Sequence, residues 1–180
     1  PATVSGIENI VYNNSSSNHP TIDANNIINS TITINNTANP LIAPSTATIN
    51  NLGTNNTLNL GTNLTGSSNI NVAHNASKVT INAGDAKVTV NTGVSVSDLK
   101  INGDTSSSMS VNLGSSNSNT TINQGSGAGA INVANNSAIG TKITTGALAQ
   151  FVSVNNIADN TVLDVGKAGE TWSTTSVILD

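Results

Sequence analysis

Two short turns, INAGDA and INGDT, place a glycine-aspartate pair at the end of a strand-like segment. The pairs are Gly84-Asp85 and Gly103-Asp104, and they recur at about the spacing of the internal repeat described below. Carboxylate and backbone carbonyl oxygens are hard ligands of the kind that calcium prefers. The pattern is typical of ordinary glycine-aspartate turns, and a calcium ion shared by Asp85 and Asp104 is the second interpretation.

These turns resemble those of the calcium-binding β-roll, in which successive turns share a hard cation. The full β-roll repeat reads G-G-x-G-x-D, and neither turn here carries its first two glycines. What the resemblance implies is calcium as the candidate cofactor of this chain, at Asp85 and Asp104.

No constellation of side chains indicates catalysis. His19 and His74 are far apart in the chain and are expected to be surface turn residues rather than metal ligands. The serines lie in no GxSxG elbow, and the chain contains neither a P-loop nor a GxGxxG motif. No two acidic residues have a spacing that suggests a paired acid and base; they are Glu8, Asp23, Asp85, Asp98, Asp104, Asp159, Asp164, Glu170 and Asp180. We therefore expect that the protein is not an enzyme.

Charge and composition exclude several classes of partner. Only 8% of residues are charged, the net charge is −4, and the five basic residues are scattered lysines. Phosphate binding needs clustered Lys and bidentate Arg, so nucleic acid is not an expected partner. The chain has no cysteine for disulfides or thiolate metal sites. No segment has the long apolar run of a membrane helix or the pattern of a signal peptide, so we expect no membrane insertion and an export signal outside this stretch.

The elements that position these turns are expected to be β-strands. Asn, Ser and Thr make up about two fifths of the chain, far above ordinary usage, and these residues, like Gly, are poor helix formers. Short segments alternate Ile, Val or Leu with Thr, Ser or Asn, as in KVTIN at Lys78 and KVTVN at Lys87. This regular alternation favours an ordered all-β fold over a flexible linker.

The spacing of the apolar residues distinguishes between β architectures. Every second strand is in phase at a period of about 20 residues, in two sets: Ile49, Ile70, Val90 and Val111, and Leu60, Ile81, Ile101, Ile122 and Ile143. This period predicts a two-sided parallel β-solenoid, or β-roll, with about 20 residues per coil. Stacked coils would bury the aliphatic residues and align the Asn side chains in ladders. An antiparallel β-sandwich is the alternative, although the hairpin signal Asn-Gly occurs only once, at Asn102-Gly103.

The first quarter of the chain breaks this pattern. Residues 1–45 contain Pro20, Pro40 and Pro44 and a run of three serines, and they are expected to form an irregular N-terminal lead-in or cap. Residues 46–180 are expected to form the β-solenoid-like repeat region, with about six coils. The unfinished apolar segment SVILD at the end predicts that the region is part of a longer protein.

The opening phrase VSGIENI, from Val4 to Ile10, resembles a phrase common in bacterial surface-layer proteins of the type I-secreted, RTX-related kind. The low charge, the missing cysteine and the Thr/Asn-rich strands are similar to those proteins as well. The resemblance implies a secreted protein that forms a two-dimensional lattice on the bacterial cell surface. Its expected partners are copies of itself, with a cell-surface polysaccharide as a further candidate.

Two alternatives remain open. An adhesin stalk or a phage tail-spike-like module would bind glycans through exposed rings, and the chain offers only Tyr12, Phe151 and Trp172. A functional amyloid-like fibre subunit of the curli kind has a similar repeat length. Ser118 and Gln124 fit the start of its S-x5-Q-x-G pattern, but Gly127 lies one residue beyond the glycine position, and Ala130, three residues on, is not the expected Asn.

Overall fold

The computed structural model describes residues 7–15, 19–37, 45–61, 64, 66–104, 108–125, 129–134, 140–145, 151–155, 160–164 and 176–179. These residues form strands and turns and contain no helix. Their strands are β1 (Asn9–Asn14), β2 (Thr21–Asp23), β3 (Thr31–Asn36), β4 (Thr48–Leu52), β5 (Thr57–Leu60), β6 (Ser67–Val72), β7 (Thr80–Gly84), β8 (Lys87–Thr92), β9 (Lys100–Gly103), β10 (Met109–Asn112), β11 (Thr121–Asn123), β12 (Ile131–Ala134), β13 (Lys142–Thr144), β14 (Phe151–Asn155), β15 (Val162–Asp164) and β16 (Ser176–Leu179).

The strands alternate between two sheets along the chain. In the described residues the odd-numbered strands form sheet one, in the order β1-β3-β5-β7-β9-β11-β13-β15, and the even-numbered strands form sheet two, in the order β16-β14-β12-β10-β8-β6-β4-β2. Every pair of neighbours is parallel, as in the central pairs β7·β9 and β8·β10. Each coil therefore contributes one strand to each sheet. The predicted two-sided parallel β-solenoid is confirmed, with roughly 21 residues per coil, and the antiparallel sandwich is wrong.

In-register columns of aliphatic side chains form the core between the sheets. In sheet one the column consists of Ile10, Ile32, Leu58, Ile81, Ile101, Ile122, Ile143 and Leu163. In sheet two it runs through Ile22, Ile49, Ile70, Val90, Val111, Val133 and Val154. The members away from the two ends are fully or almost fully buried. Since strand neighbours lie about 4.8 Å apart, each side chain packs directly on the one below.

The predicted phases hold except at Leu60. Ile81, Ile101, Ile122 and Ile143 share one column, as expected. The residue in register with Ile81 is Leu58 rather than Leu60, so this coil is longer than the spacing implied. Leu60 also points inward and is buried, because it follows Leu58 at the two-residue period of a strand. The sequence spacing alone could not show which of the two leucines is in register with Ile81.

Strands also occur in the segment that was expected to be irregular. β1, β2 and β3 lie within residues 1–45, and β1·β3 and β2·β4 are parallel pairs that continue the two sheets. The irregular description is therefore wrong for these strands. The division of the chain into domains at residue 45 stays a prediction. Six strands of sheet one, β5 to β15, lie in the described part of residues 46–180, where about six coils were expected.

A residue with left-handed backbone conformation precedes each described sheet-one strand after β1, and these residues stack in a column. The residue two positions before the strand has φ between 52° and 70° in every case, and these residues are Asn29, Asn55, Lys78, Asp98, Asn119, Gly140 and Asn160. Asn tolerates this conformation better than other residues that carry a Cβ. The turn therefore explains part of the high Asn content.

Ladders of hydrogen-bonded asparagine side chains account for another part of the high Asn content. On sheet two, the Nδ2 of Asn71, Asn91 and Asn112 each donates to the Oδ1 of the Asn in the preceding coil, at 2.8, 3.1 and 2.7 Å, beginning at Asn50. On sheet one, Asn82 donates to Asn59 at 2.8 Å and Asn102 donates to Asn82 at 2.9 Å. The side-chain ladders expected from the sequence are present, and they tie neighbouring coils together from outside the core.

The core position Ile101 provides a direct test of the inward and outward assignment. Ile101 is fully buried in the sheet-one column, whereas Thr80 faces outward in the adjacent coil. We expect Ile101→Asp to lower the free energy of unfolding by at least about 3 kcal/mol, because it buries an unpaired carboxylate. Thr80→Asp should cost less than about 1 kcal/mol. Urea unfolding followed by circular dichroism measures both, and equal effects would contradict the assignment.

The turns that follow the sheet-two strands stack closely on one another, and this stacking provides a second test of the fold. A Cβ on Gly114 would overlap the backbone carbonyl of Gly93 in the coil below. A Cβ on Gly53, in the corresponding turn of an earlier coil, would meet nothing nearer than the Ile27 carbonyl oxygen at 3.7 Å. We expect Gly114→Ala to destabilise by about 2 kcal/mol through overpacking, and Gly53→Ala to change stability by less than about 0.5 kcal/mol. Thermal melts that rank the two variants in the opposite order would show that the turn column is not stacked in this way.

Candidate functional site

The two glycine-aspartate turns lie at the same edge of the solenoid in adjacent coils. Gly84 and Gly103 are partners in the β7·β9 pair, and the backbone N–H of Asp104 donates to the Gly84 carbonyl at 3.0 Å. A register shift between Asn82 and Gly84 accommodates one extra residue in β7. As a result, Asp85 and Asp104 each follow a paired glycine, and both residues are exposed at this edge.

The next coil does not extend the acidic pair. Its turn brings Gly125 to this edge, where an added Cβ would lie 2.9 Å from the Gly103 carbonyl oxygen and 3.5 Å from the Asp104 Cα. Among the described residues no group of three or more His, Cys, Asp or Glu side chains is close enough to hold a metal ion. The protein ligands available here are the carboxylates of Asp85 and Asp104 and nearby backbone carbonyls. Calcium takes six to eight oxygens, so water would have to complete its shell.

The two histidines occupy separate exposed turns. The Nδ1 of His19 lies 2.9 Å from the Thr46 hydroxyl, and the Nδ1 of His74 accepts a hydrogen bond from the Val94 backbone N–H at 3.1 Å. Both contacts join segments that are distant in sequence and belong to neighbouring coils. In this geometry the imidazoles act as turn-to-turn links.

Asp23 has two hydrogen-bond donors directed at one carboxylate oxygen. The Asn51 side chain donates to its Oδ1 at 2.9 Å, and the Asn25 backbone N–H donates to the same oxygen at 3.1 Å. The Asn51 hydrogen bond first, and then the Asn25 one, hold the pKa of this carboxyl below its ordinary value. The hydrogen bond from the Asn25 backbone to Asp23 forms an Asx turn. Asn51, the other donor, lies at the register shift of β4 and has a left-handed φ of 56°. This arrangement stabilises the ionised form without assembling a reactive site.

Both outer faces carry charged side chains, but sheet two has a central region without them. On sheet one, Lys100 and Lys142 lie in the same outward column. Asp164, the last residue of β15, lies in the neighbouring outward column. On sheet two, Asp23 of β2 begins one of the two central outward columns, in register with Asn50. From β4 to β12 both columns are uncharged; they consist of Thr48, Asn69, Thr89, Ser110 and Asn132, and of Asn50, Asn71, Asn91, Asn112 and Ala134. We refer to these ten residues as the sheet-two face. Lys87 lies beside it, at the start of β8.

The predicted aromatic and acidic candidates are only partly within the described residues. Tyr12 lies in β1, in register with Ile34, and is 41% exposed. Trp172, Asp159, Glu170 and Asp180 lie outside the described residues, as does the side chain of Phe151. The rings expected in a glycan-binding module are thus represented in the described part by Tyr12.

Comparison of this chain with protein families, with curated proteins and with solved structures finds no match. Among the described residues no helix has the length and apolar character needed to cross a membrane.

The uncharged sheet-two face was not predicted from the sequence. The alternation assigned Thr, Ser and Asn to outward positions, but it did not indicate which sheet would carry the lysines. A signal was present in the chain: Lys100 and Lys142 are separated by twice the coil period, so they had to lie on the same sheet.

Proposed function

We propose that this chain is a structural segment of a secreted bacterial cell-surface protein, a surface-layer subunit that packs against copies of itself. The VSGIENI phrase supports this assignment by its resemblance to type I-secreted surface-layer proteins. The regular solenoid is compatible with a stiff, weakly charged building block. We propose a mechanical and steric role rather than a catalytic one.

The observation that carries the proposal is the sheet-two face. It is an array of Thr, Ser, Asn and Ala spanning β4 to β12, with Asp23 of β2 beyond one end and Lys87 of β8 beside it. Charged residues are depleted at the centres of protein interfaces because burying an unpaired charge is costly. Two copies could bring these ten residues together without burying a charge among them, with Lys87 and Asp23 at the rim of the contact. Ladders of hydrogen-bonded Asn also hold the side chains in place before contact, which lowers the entropy lost on association.

A charge placed on this face tests the proposal. Thr89 lies at its centre between Asn69 and Ser110 and directly precedes the core residue Val90. Thr57 holds the matching outward position on sheet one, directly before Leu58 and between Thr31 and Thr80. We expect the unaltered protein to form ordered sheets or tubes in negative-stain electron microscopy. Thr89→Lys should abolish them, since a lysine would be buried without a partner, and Thr57→Lys should leave them intact.

Equal behaviour of the two variants would remove the sheet-two face from the proposal. A protein that stays monomeric at every concentration tested would contradict lattice formation itself and would favour the adhesin stalk.

We also propose that calcium binds between the Gly84-Asp85 and Gly103-Asp104 turns. The placement of Asp85 and Asp104 in adjacent coils at one edge supports this, because a divalent cation would draw the two carboxylates together. Calcium would then strengthen the contact between the coils that contain β7 and β9.

Removal of calcium tests this site. We expect excess EGTA to lower the melting temperature by a few degrees and Asp104→Asn to abolish that response. Asp98→Asn is the matched control, since Asp98 lies in the turn that precedes β9 rather than in the turn that follows it. A melting temperature that does not respond to chelator in the unaltered protein would exclude calcium at these turns.

A further inference from the structure

A shallow depression lies on the outer surface of sheet two, near the first residues of its strands. Its volume is about 140 Å³, and residues in or directly before β6, β8, β10 and β12 line it. These strands belong to four consecutive coils, and each has a described neighbour on both sides in sheet two. The depression is therefore a feature of the middle of the stack.

Small side chains next to a long one create the depression. Lys87 begins β8, and Ser108 and Ala130, which directly precede β10 and β12, continue its outward column. The backbones here are paired, since the Val88 N–H donates to the Ser108 carbonyl at 3.0 Å and the Met109 N–H donates to the Ala130 carbonyl at 2.9 Å. Val88 and Met109 are buried and form the floor. The space beside the lysine is left by a serine and an alanine, so a bound molecule can fill it.

The opposite wall of the depression is polar and uncharged. Thr89, Ser110 and Asn132 form it as one in-register outward column, and they supply two hydroxyls and an amide that both donate and accept hydrogen bonds. Among the described residues no acidic side chain lines the depression, and Asp85, two residues before Lys87, lies outside its lining. The exposed ammonium of Lys87 is the one charge in the lining, which favours an anionic ligand.

We propose that this depression binds an acidic sugar unit of a polysaccharide. The Lys87 ammonium would donate to the sugar carboxylate, and the Ser108 and Ser110 hydroxyls and the Asn132 amide would bind the sugar hydroxyls. Pockets for drug-sized ligands hold about 300 Å³ or more, so the smaller volume here suits one sugar unit. The proposal goes beyond the proposed function, because it assigns a ligand site rather than a contact between copies.

The repeat of the solenoid gives the bound saccharide a direction. The lining spans three steps between strands, which is about 14 Å along the stacking axis. A saccharide chain parallel to that axis would meet hydroxyl and amide groups in each coil that it crosses. The lysine occurs in one coil of this column only, so the acidic unit would fix the position of the chain.

The depression overlaps the sheet-two face along one column. Thr89, Ser110 and Asn132 belong to both, whereas Lys87 and Ser108 lie beside the face. Binding of the saccharide does not require self-assembly. A bound saccharide would cover three residues of the face, so it would compete with a second copy for them.

Titration calorimetry with a trisaccharide of galacturonic acid tests the site. The fully methyl-esterified trisaccharide is the neutral control, and EGTA is present so that calcium near Asp85 cannot bridge the carboxylates. We expect the acid to bind at least about tenfold more tightly than the ester, and this preference should disappear in high salt because Lys87 is exposed. Equal dissociation constants for the two forms in low salt would overturn the proposal.

Two variants assign the binding to these residues. Lys87→Gln should remove the preference for the acid, and Lys100→Gln, which changes an outward lysine of sheet one, should keep it. Ser108→Leu fills the depression and should weaken binding of the acid by at least about tenfold although Lys87 is retained. Thr80→Leu, at an outward position of sheet one, is the matched control. Circular dichroism checks folding, and Ala130→Leu replaces Ser108→Leu if that variant does not fold.

An unchanged preference in Lys87→Gln would overturn the site, as would unchanged affinity in the variant that fills the depression. If the protein stays monomeric and binds the acid through Lys87, this inference stands and the proposed lattice fails. If ordered sheets form and the acid does not bind, the proposed function stands and this inference fails.

Discussion

Burial of aliphatic side chains in in-register columns is the interaction on which the rest of this structure depends. Each coil adds one Ile, Leu or Val to the central column of each sheet, and burying such a side chain contributes roughly 1.5 to 3 kcal/mol. Among the described residues the core consists of Ile, Leu, Val and Ala with Met109, which fits the scarcity of aromatic rings in the sequence. The columns also require each coil to return to the same position, so the turns are constrained as strongly as the strands. Stacked Gly93 and Gly114 and the repeated left-handed residues follow from that requirement.

The fold could be predicted where sequence spacing and structural spacing coincide. From Ile81 to Ile143 the sheet-one column advances at the regular coil period, and here the sequence indicated the correct partners. Earlier coils are longer: the steps from Ile32 to Leu58 and from Leu58 to Ile81 both exceed that period. The additional residues are in the connections between strands, which do not disturb the inward alternation but do hide the period. For this reason the register of Leu60 and the strands within residues 1–45 were not found from the spacing.

The candidate site was less predictable because it depends on which residues meet at an edge. The recurrence of Gly-Asp correctly placed Asp85 and Asp104 in adjacent coils, but the bulge that aligns them arises from one extra residue in β7 and has no distinct sequence signal. The polar side chain of Thr120 in the core was also difficult to predict. Thr120 lies in an interior column with Leu99, and its buried hydroxyl has no hydrogen-bond partner among the described residues. The column accepts a hydroxyl there because Thr has nearly the shape of Val, so the packing is preserved although a polar group is desolvated.

The same constraint that builds the core also shapes the surface. When inward residues are held in register, the outward residues between them are held in register too, and each outward position becomes a column with a repeat of about 4.8 Å. A residue type that is acceptable once is then repeated in every coil, which multiplies any repulsion between like charges and favours hydrogen-bonding amides such as Asn71, Asn91 and Asn112. A surface made in this way has little local chemistry to recognise a small ligand, except where a single residue such as Lys87 interrupts a column. It does have translational order, and a second copy of the same chain has the matching order. The proposed self-association through the sheet-two face would therefore require no further specialisation of the sequence than the solenoid already imposes.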